Sequence, residues 1–203
     1  HFGLEAAVSI PIYHTLALNG AVSWGQYTYD SNPYYLQTQD NSGDIVSDGY
    51  VYWKDFRVES TPQTAVNVGL SWRSNNNIYL SADFNYYNNM YLSMSPIYRT
   101  DAVITGGMAP GDIEHLRRQE KFDSAYTLNA SIGKNWYIHR KYTLGFSLDV
   151  KNILNNQDIK TGGYEQTRLS KNTETTVTTY QAFDSKYFYM FGTTYYLNLY
   201  FRF

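Results

Sequence analysis

From Tyr187 to the last residue the chain alternates almost without error. One set of positions reads Tyr187, Tyr189, Phe191, Thr193, Tyr195, Leu197, Leu199, Phe201 and Phe203. The interleaved set reads Phe188, Met190, Gly192, Thr194, Tyr196, Asn198, Tyr200 and Arg202. Successive side chains of an extended strand point to opposite faces, so this stretch predicts one long strand with an apolar and a more polar face. A two-faced strand of this length, ending on an aromatic ring, has few homes. A bilayer is one, because a tilted strand needs ~9–11 residues to cross it.

The same period recurs upstream and sets the fold class. Leu4, Ala6, Val8 and Ile10 oppose Glu5, Ala7 and Ser9, and Leu16, Leu18, Val22 and Trp24 oppose Asn19, Ser23 and Tyr27. Val66, Val68, Leu70 and Trp72 oppose Asn67, Gly69, Ser71 and Arg73; Ile78, Leu80, Ala82, Phe84 and Tyr86 oppose Ser81, Asp83, Asn85 and Tyr87. Two further strands carry Tyr126, Leu128, Ala130, Ile132, Trp136 and Ile138, then Tyr142, Leu144, Phe146, Leu148 and Val150. Lys134 interrupts one apolar face near its end, where a long side chain can snorkel. Residues 11–14, 75–77 and 139–141 make short connections; 31–63, 95–122 and 155–182 make long ones.

Short turns on one side and long loops on the other predict a segment of a transmembrane antiparallel β-barrel, all-β, with about seven strands. By that parity the long loops are extracellular and the C-terminus is periplasmic. A soluble β-sandwich also alternates, but its strands are usually ~5–6 residues, and a second sheet must cover its apolar face. Seven strands leave two open edges, and orphan backbone groups are costly in hydrocarbon. The expected barrel therefore takes its other strands from a part of the polypeptide preceding His1.

Charged residues are 17% of the chain and aromatic residues 18%, with 22 tyrosines. Tyrosine suits surfaces where an apolar body meets water at one end, as at membrane interfaces. The net charge of −2 gives no basic footprint, so nucleic acid is not an expected partner. There is no cysteine, which excludes disulfides and thiol catalysis. No window approaches 18 consecutive apolar residues, the length of a membrane-spanning helix. Within the loops, residues 50–59 predict a projecting hairpin and 112–121 a short helix with Asp112 as N-cap. Gly162-Gly163 signals a turn.

The run Ser-Leu-Asp-Val-Lys-Asn-Ile-Leu-Asn-Asn-Gln at 147–157 resembles the penultimate-strand motif of TonB-dependent outer-membrane receptors. In that family a last loop and a terminal strand ending in Phe follow it, as Phe203 does here. Asp-Ile-Lys-Thr-Gly-Gly-Tyr-Glu-Gln-Thr-Arg at 158–168 resembles the Bacteroidota branch, whose members commonly carry an N-terminal carboxypeptidase-regulatory-like domain. Residues 3–6 and Thr61-Pro62-Gln63 are similar to strand-entry positions in the last third of those barrels. The resemblance implies that residues 1–203 are the last seven strands of a 22-stranded barrel. The plug and N-terminal domains then lie outside these residues. It also implies active import of a scarce nutrient, with outer-membrane lipids, TonB (through the plug), the barrel-assembly machinery and a surface lipoprotein as partners. Phe203 resembles the terminal signal that the assembly machinery reads.

Two other classes stay open: a non-energised barrel acting as porin, adhesin or structural partner, and an outer-membrane enzyme. No Gly-x-Ser-x-Gly elbow is present. Asp112, Glu114, His115 and Glu120 are neighbours in sequence, but a solvated helix accounts for them, and no metal, cofactor or catalytic set is assigned. Asn19, Asn67, Arg73, Asp83, Asn85, Asn129, Asp149 and Lys151 are expected to line a wet interior, the last two as an ion pair. Tyr126, Trp136, Tyr142, Tyr187, Tyr189 and Tyr195 are expected on the lipid face. Tyr34, Tyr35, Tyr50, Tyr52, Trp53 and Phe56 fall in the first long loop, beyond reach of lipid, and are the candidate ligand contacts.

Overall fold

The computed structural model describes residues 1–139, 141–171 and 178–203. Its frame is one antiparallel sheet of seven strands. These are β1 (Phe2–Tyr13), β2 (Leu16–Gln26), β5 (Thr64–Arg73), β6 (Ile78–Asn88), β7 (Ala125–Ile138), β8 (Tyr142–Lys151) and β11 (Thr194–Arg202), each paired with the next. Two hairpins stand apart from it: β3 (Tyr34–Thr38) with β4 (Ile45–Tyr50), and β9 (Lys160–Lys171) with β10 (Thr178–Tyr189). The sheet is open, with β1 and β11 as its two edges.

Register carries the predicted parity across every strand pair. Opposite partners on neighbouring strands share a face, so the register defines rows running across the sheet. One row reads Val8, Gly20, Val68, Phe84 and Leu128; another reads Leu16, Trp72, Leu80, Ile132, Leu148 and Leu197. The opposite face is polar and cross-linked. Ser9 donates to Asn19, which donates to Ser71; Asn67 donates to Asn85, which donates to Thr127; Ser81 and Ser131 share a bond of 2.8 Å. Asp149 and Lys151 lie on this face without forming the expected ion pair; the ion pairs among the described residues lie elsewhere.

The rows also run obliquely. Ile10, close to the tight-turn end of β1, shares a row with Leu18, Leu70, Ala82, Ala130 and then Val150, near the loop end of β8. Such stagger is the register of strands tilted within their sheet. The second and third tight turns lie where predicted, whereas the first is shorter and later, since Pro11–Tyr13 continue β1 and the turn is made by residues 14 and 15. Asn77 adopts φ 59° and closes its turn through a 3.0 Å bond from its N–H to Ser74 O; His139 adopts φ 52°. Asn and His tolerate the left-handed region better than most residues. Arg140 and residues 172–177, within the predicted third short turn and third long loop, lie outside the described residues.

Tyrosines on the polar face lie over glycines of the neighbouring strand. Tyr79 covers Gly133, and Tyr200 covers Gly145; a Cβ at either glycine would overlap the ring. Gly133→Ala is therefore expected to displace Tyr79 and cost ~1–3 kcal/mol, as overpacking does. Thermal unfolding of the variant checks this. Adding Tyr79→Ser should recover most of the loss.

The terminal strand departs from its prediction. Tyr187 and Tyr189 belong to β10, and Met190–Thr193 separates them from β11. The Asn-rich end of β8 makes the break: Asn152 Nδ2 donates to Phe191 O at 3.0 Å, Thr193 N to Asn155 Oδ1 at 3.1 Å, and Thr193 Oγ1 to Asn152 O at 2.9 Å. A Cβ on Gly192 would run into Asn155. The break spans an even number of residues, so parity passes through it and a period-two pattern cannot register it.

Three loop expectations change as well. The projecting hairpin is β3–β4, while residues 51–60 return irregularly, held by isolated bridges such as Val51 to Thr100. The helix spans Pro110–Arg117, with Ala109 as N-cap and Asp112 inside its first turn, because Pro110 has no N–H to lose at the first helical position. Gly162 and Gly163 sit within β9, where Gly163 takes φ 153° against Lys186 O; no side chain fits there.

The buried core lies in the loop layer. Met90, Leu92, Phe122, Ala125 and Ile159 form it, joined by Tyr87, Tyr187 and Met190. Among the described residues no layer covers the apolar face of the sheet: Leu4, Trp24, Leu70, Phe84, Trp136 and Leu197 are 40–61% exposed.

Candidate functional site

The loops knit into one cap, and Arg99 is its centre. A short 3-10 turn (Pro96–Arg99) precedes the helices Asp101–Ile104 and Pro110–Arg117, and its last residue, Arg99, is 2% exposed. Its guanidinium forms a two-pronged pair with Glu165 of β9, at 3.0 Å from Nη2 to Oε2 and closer between Nη1 and Oε1. Nε donates to Leu116 O at 2.9 Å and Nη1 to Ser95 O at 3.0 Å; the Phe56 ring lies 5.6 Å beneath the charge. Planar guanidinium suits this geometry, since fixed donors match a carboxylate and still serve carbonyls. Through one residue, all three long loops are joined.

Other ties follow the same routes. The Gln119 side-chain amide pairs with both backbone groups of Arg57, at 2.8 and 2.7 Å. Glu120 accepts from Tyr187 at 2.6 Å and from Ser185 at 3.1 Å, with Lys160 Nζ 3.8 Å away and stacked over Tyr187. Tyr187 thus serves the cap and not the lipid-side girdle expected of it. Donating to Glu120, and secondarily burial, hold its hydroxyl above the ordinary value of 10.0. Tyr52 is raised by its bond to Asp101, Tyr34 by its bond to Asp48, and Tyr29 by burial and then Glu59. A raised acid is stabilised in its protonated form, so these bonds are complete below pH 10 and are lost as pH climbs through the raised values. Tyr187→Phe should remove from the phenolate absorbance titration one group ionising above that of a free tyrosine.

The six predicted contact aromatics divide. Tyr34 and Tyr50 face each other across the β3–β4 hairpin, edge to face at 5.4 Å, and stay more than half exposed. Tyr35 shares a 2.7 Å hydroxyl bond with Ser47. Trp53 stacks flat on Tyr29 at 4.8 Å, and Phe56 supports Arg99, so these two pack the loop on itself. Tyr52 borders a cleft of about 380 Å³ together with Asn32, Lys54, Phe56 and Arg117. Phe203 lies past the end of β11, 93% exposed, its ring 6.3 Å from Phe201. The helix residues weighed for metal do not converge, since Glu114 pairs with Arg118 and Glu120 turns to Tyr187.

A pair of clefts that sequence patterns did not reveal flanks β9. One, about 510 Å³, lies between Ser93–Tyr98 and residues 164–168, with the Tyr164 and Phe183 rings at its rim. The other, about 830 Å³, lies between Gln119, Glu120 and the β10 side of the hairpin. Arg168 stacks on Phe183 at 5.1 Å and has no ion-pair partner among the described residues. Thr167, which lines the first cleft, has its Oγ1 buried with no hydrogen-bond partner among the described residues. The arrangement can bind and orient an extended ligand. Compared with known proteins, the chain matches no family model and no curated protein.

Proposed function

We propose that this chain is the C-terminal wall of a TonB-dependent outer-membrane receptor that actively imports a scarce nutrient. The observation that carries the proposal is the apolar face running across all seven strands with no described residue packed over it. An uncovered apolar face this wide is out of place in water, where contiguous patches rarely exceed a few hundred Å². Strands of 9 to 14 residues match the ~9–11 that a tilted membrane strand requires. The oblique rows have the stagger that closing a barrel demands.

In this reading the polar face lines the lumen, and the cap of loops stands outside the cell as part of the ligand-binding surface. The edges of β1 and β11 pair with strands of the same 22-stranded barrel. TonB acts through the plug, the assembly machinery reads the strand ending at Phe203, and a surface lipoprotein is a fitting partner for the exposed hairpins. The test uses cells expressing the full-length protein. It should sediment with the outer membrane, and those cells should deplete a solute from complex medium that a deletion strain leaves behind. A protonophore should abolish that depletion. Depletion that survives the protonophore points to a passive pore, and a product appearing in its place points to an enzyme.

A further inference from the structure

The outer edge of β9 is an interrupted ladder. Ser93 pairs with Tyr164 in parallel, and Glu165 N donates to Ser93 O. Backbone groups of a strand alternate sides, so Glu165 and Thr167 both direct N–H and C=O away from β10. A parallel neighbour continuing from Ser93 would next offer Ser95, its N–H to Glu165 O and its C=O to Thr167 N. Ser95 does neither. Its N–H goes to the Glu165 carboxylate at 2.5 Å, its C=O accepts from Arg99, and Pro96 follows with no N–H to give.

The chain therefore peels away, and the 510 Å³ cleft opens along the vacated edge. Tyr98 closes it at the far end, donating to Thr167 O at 3.0 Å. Glu165 O and Thr167 N, turned away from β10 by that alternation, take part in no backbone bond outside the β9–β10 ladder among the described residues. The buried Arg99–Glu165 pair keeps Ser95 from returning to the ladder.

We infer that this edge binds a short extended peptide by strand addition, in the register Ser93 begins. The peptide backbone bonds to Glu165 O and Thr167 N. Its flanking side chains rest on Tyr164 and Phe183, and an acidic side chain or C-terminal carboxylate meets Arg168, which has no ion-pair partner among the described residues. Main-chain bonds supply affinity in this mode and side-chain contacts supply selectivity. The inference rests on the receptor reading only for what happens after binding, since that reading makes the peptide cargo.

The experiment uses full-length protein in detergent and dye-labelled Ala-Val-Thr-Asp, read by fluorescence anisotropy. Thr167→Ala keeps the N–H and should bind like wild type, whereas Thr167→Pro should weaken binding at least tenfold. Arg168→Gln should weaken the acidic peptide about fivefold and leave its C-terminal amide Asn analogue unchanged. Should Thr167→Pro misfold, the same peptide N-methylated on alternate amides tests the same bonds in wild-type protein and should not bind. Equal binding of the methylated peptide overturns the inference, as does no binding of the unmodified one. Neither result touches energised uptake, which stands or falls on the depletion assay.

Discussion

Arginine at Phe84 is expected to destabilise the protein in a bilayer by ~2–4 kcal/mol, whereas arginine at Ile138 is tolerated. Both positions lie on the apolar face and both are 41% exposed. Phe84 is in the middle of β6, while Ile138 is the last residue of β7 beside a tight turn. If water bathed this face, the two changes would be equivalent, and exposed substitutions usually stay within about 0.5 kcal/mol. A bilayer makes them different. Arginine costs ~2–4 kcal/mol at the midplane of a transmembrane barrel and ~0–1 near the interface. Ile132, 39% exposed and mid-strand in β7, should behave like Phe84. Unfolding of the full-length protein from phospholipid vesicles in urea gives the three costs. Equal small costs at all three sites would remove the membrane reading.

Nature has already placed one cation on this face, and its surroundings fit the same gradient. Lys134 shares a row with Ile78 and Phe146, and its ammonium lies 5.2 Å over the Trp136 ring. Trp136 is closer to the turn, so the side chain leans toward the end of the strand, as snorkelling requires.

The sheet was legible because parity is local. Each strand declares its two faces within ten residues, and register then only has to match apolar to apolar. What escaped was non-local or conformational. Gly162-Gly163 signals a turn by composition, yet Gly163 serves a strand position where Lys186 O leaves no room for a Cβ. Tyr187 has the parity of a lipid-facing residue; only Glu120, brought from another loop, turns it into a cap residue. Trp53 and Phe56 carry nothing in their spacing to show that their partners are Tyr29 and Arg99. The peptide edge was hidden for the same reason, since it is created where Ser95 fails to continue a ladder.

The ion pair that diverts Ser95 gives the second large effect. Arg99→Met leaves the Glu165 carboxylate, only 14% exposed, without its cation and with Ser95 N–H as its donor, and it frees Leu116 O and Ser95 O of theirs. Removing one partner of a buried pair costs ~3–5 kcal/mol. That cost should fall on the cap and not on the sheet, because no bond from Arg99 reaches the seven strands. The variant is thus expected to assemble normally, with wild-type heat-modifiable mobility, while its loops become sensitive to protease added outside intact cells. The double variant Arg99→Met, Glu165→Met removes the stranded charge and should recover much of the protection, since an apolar pair of similar volume is often as stable as the ions it replaces. It should also release Ser95 N from the carboxylate, so that Ser95 closes onto Glu165 O and Thr167 N. Peptide affinity would then fall even as the loops tighten. Protease resistance and peptide binding moving in opposite directions is an outcome that general loosening of the loops cannot produce.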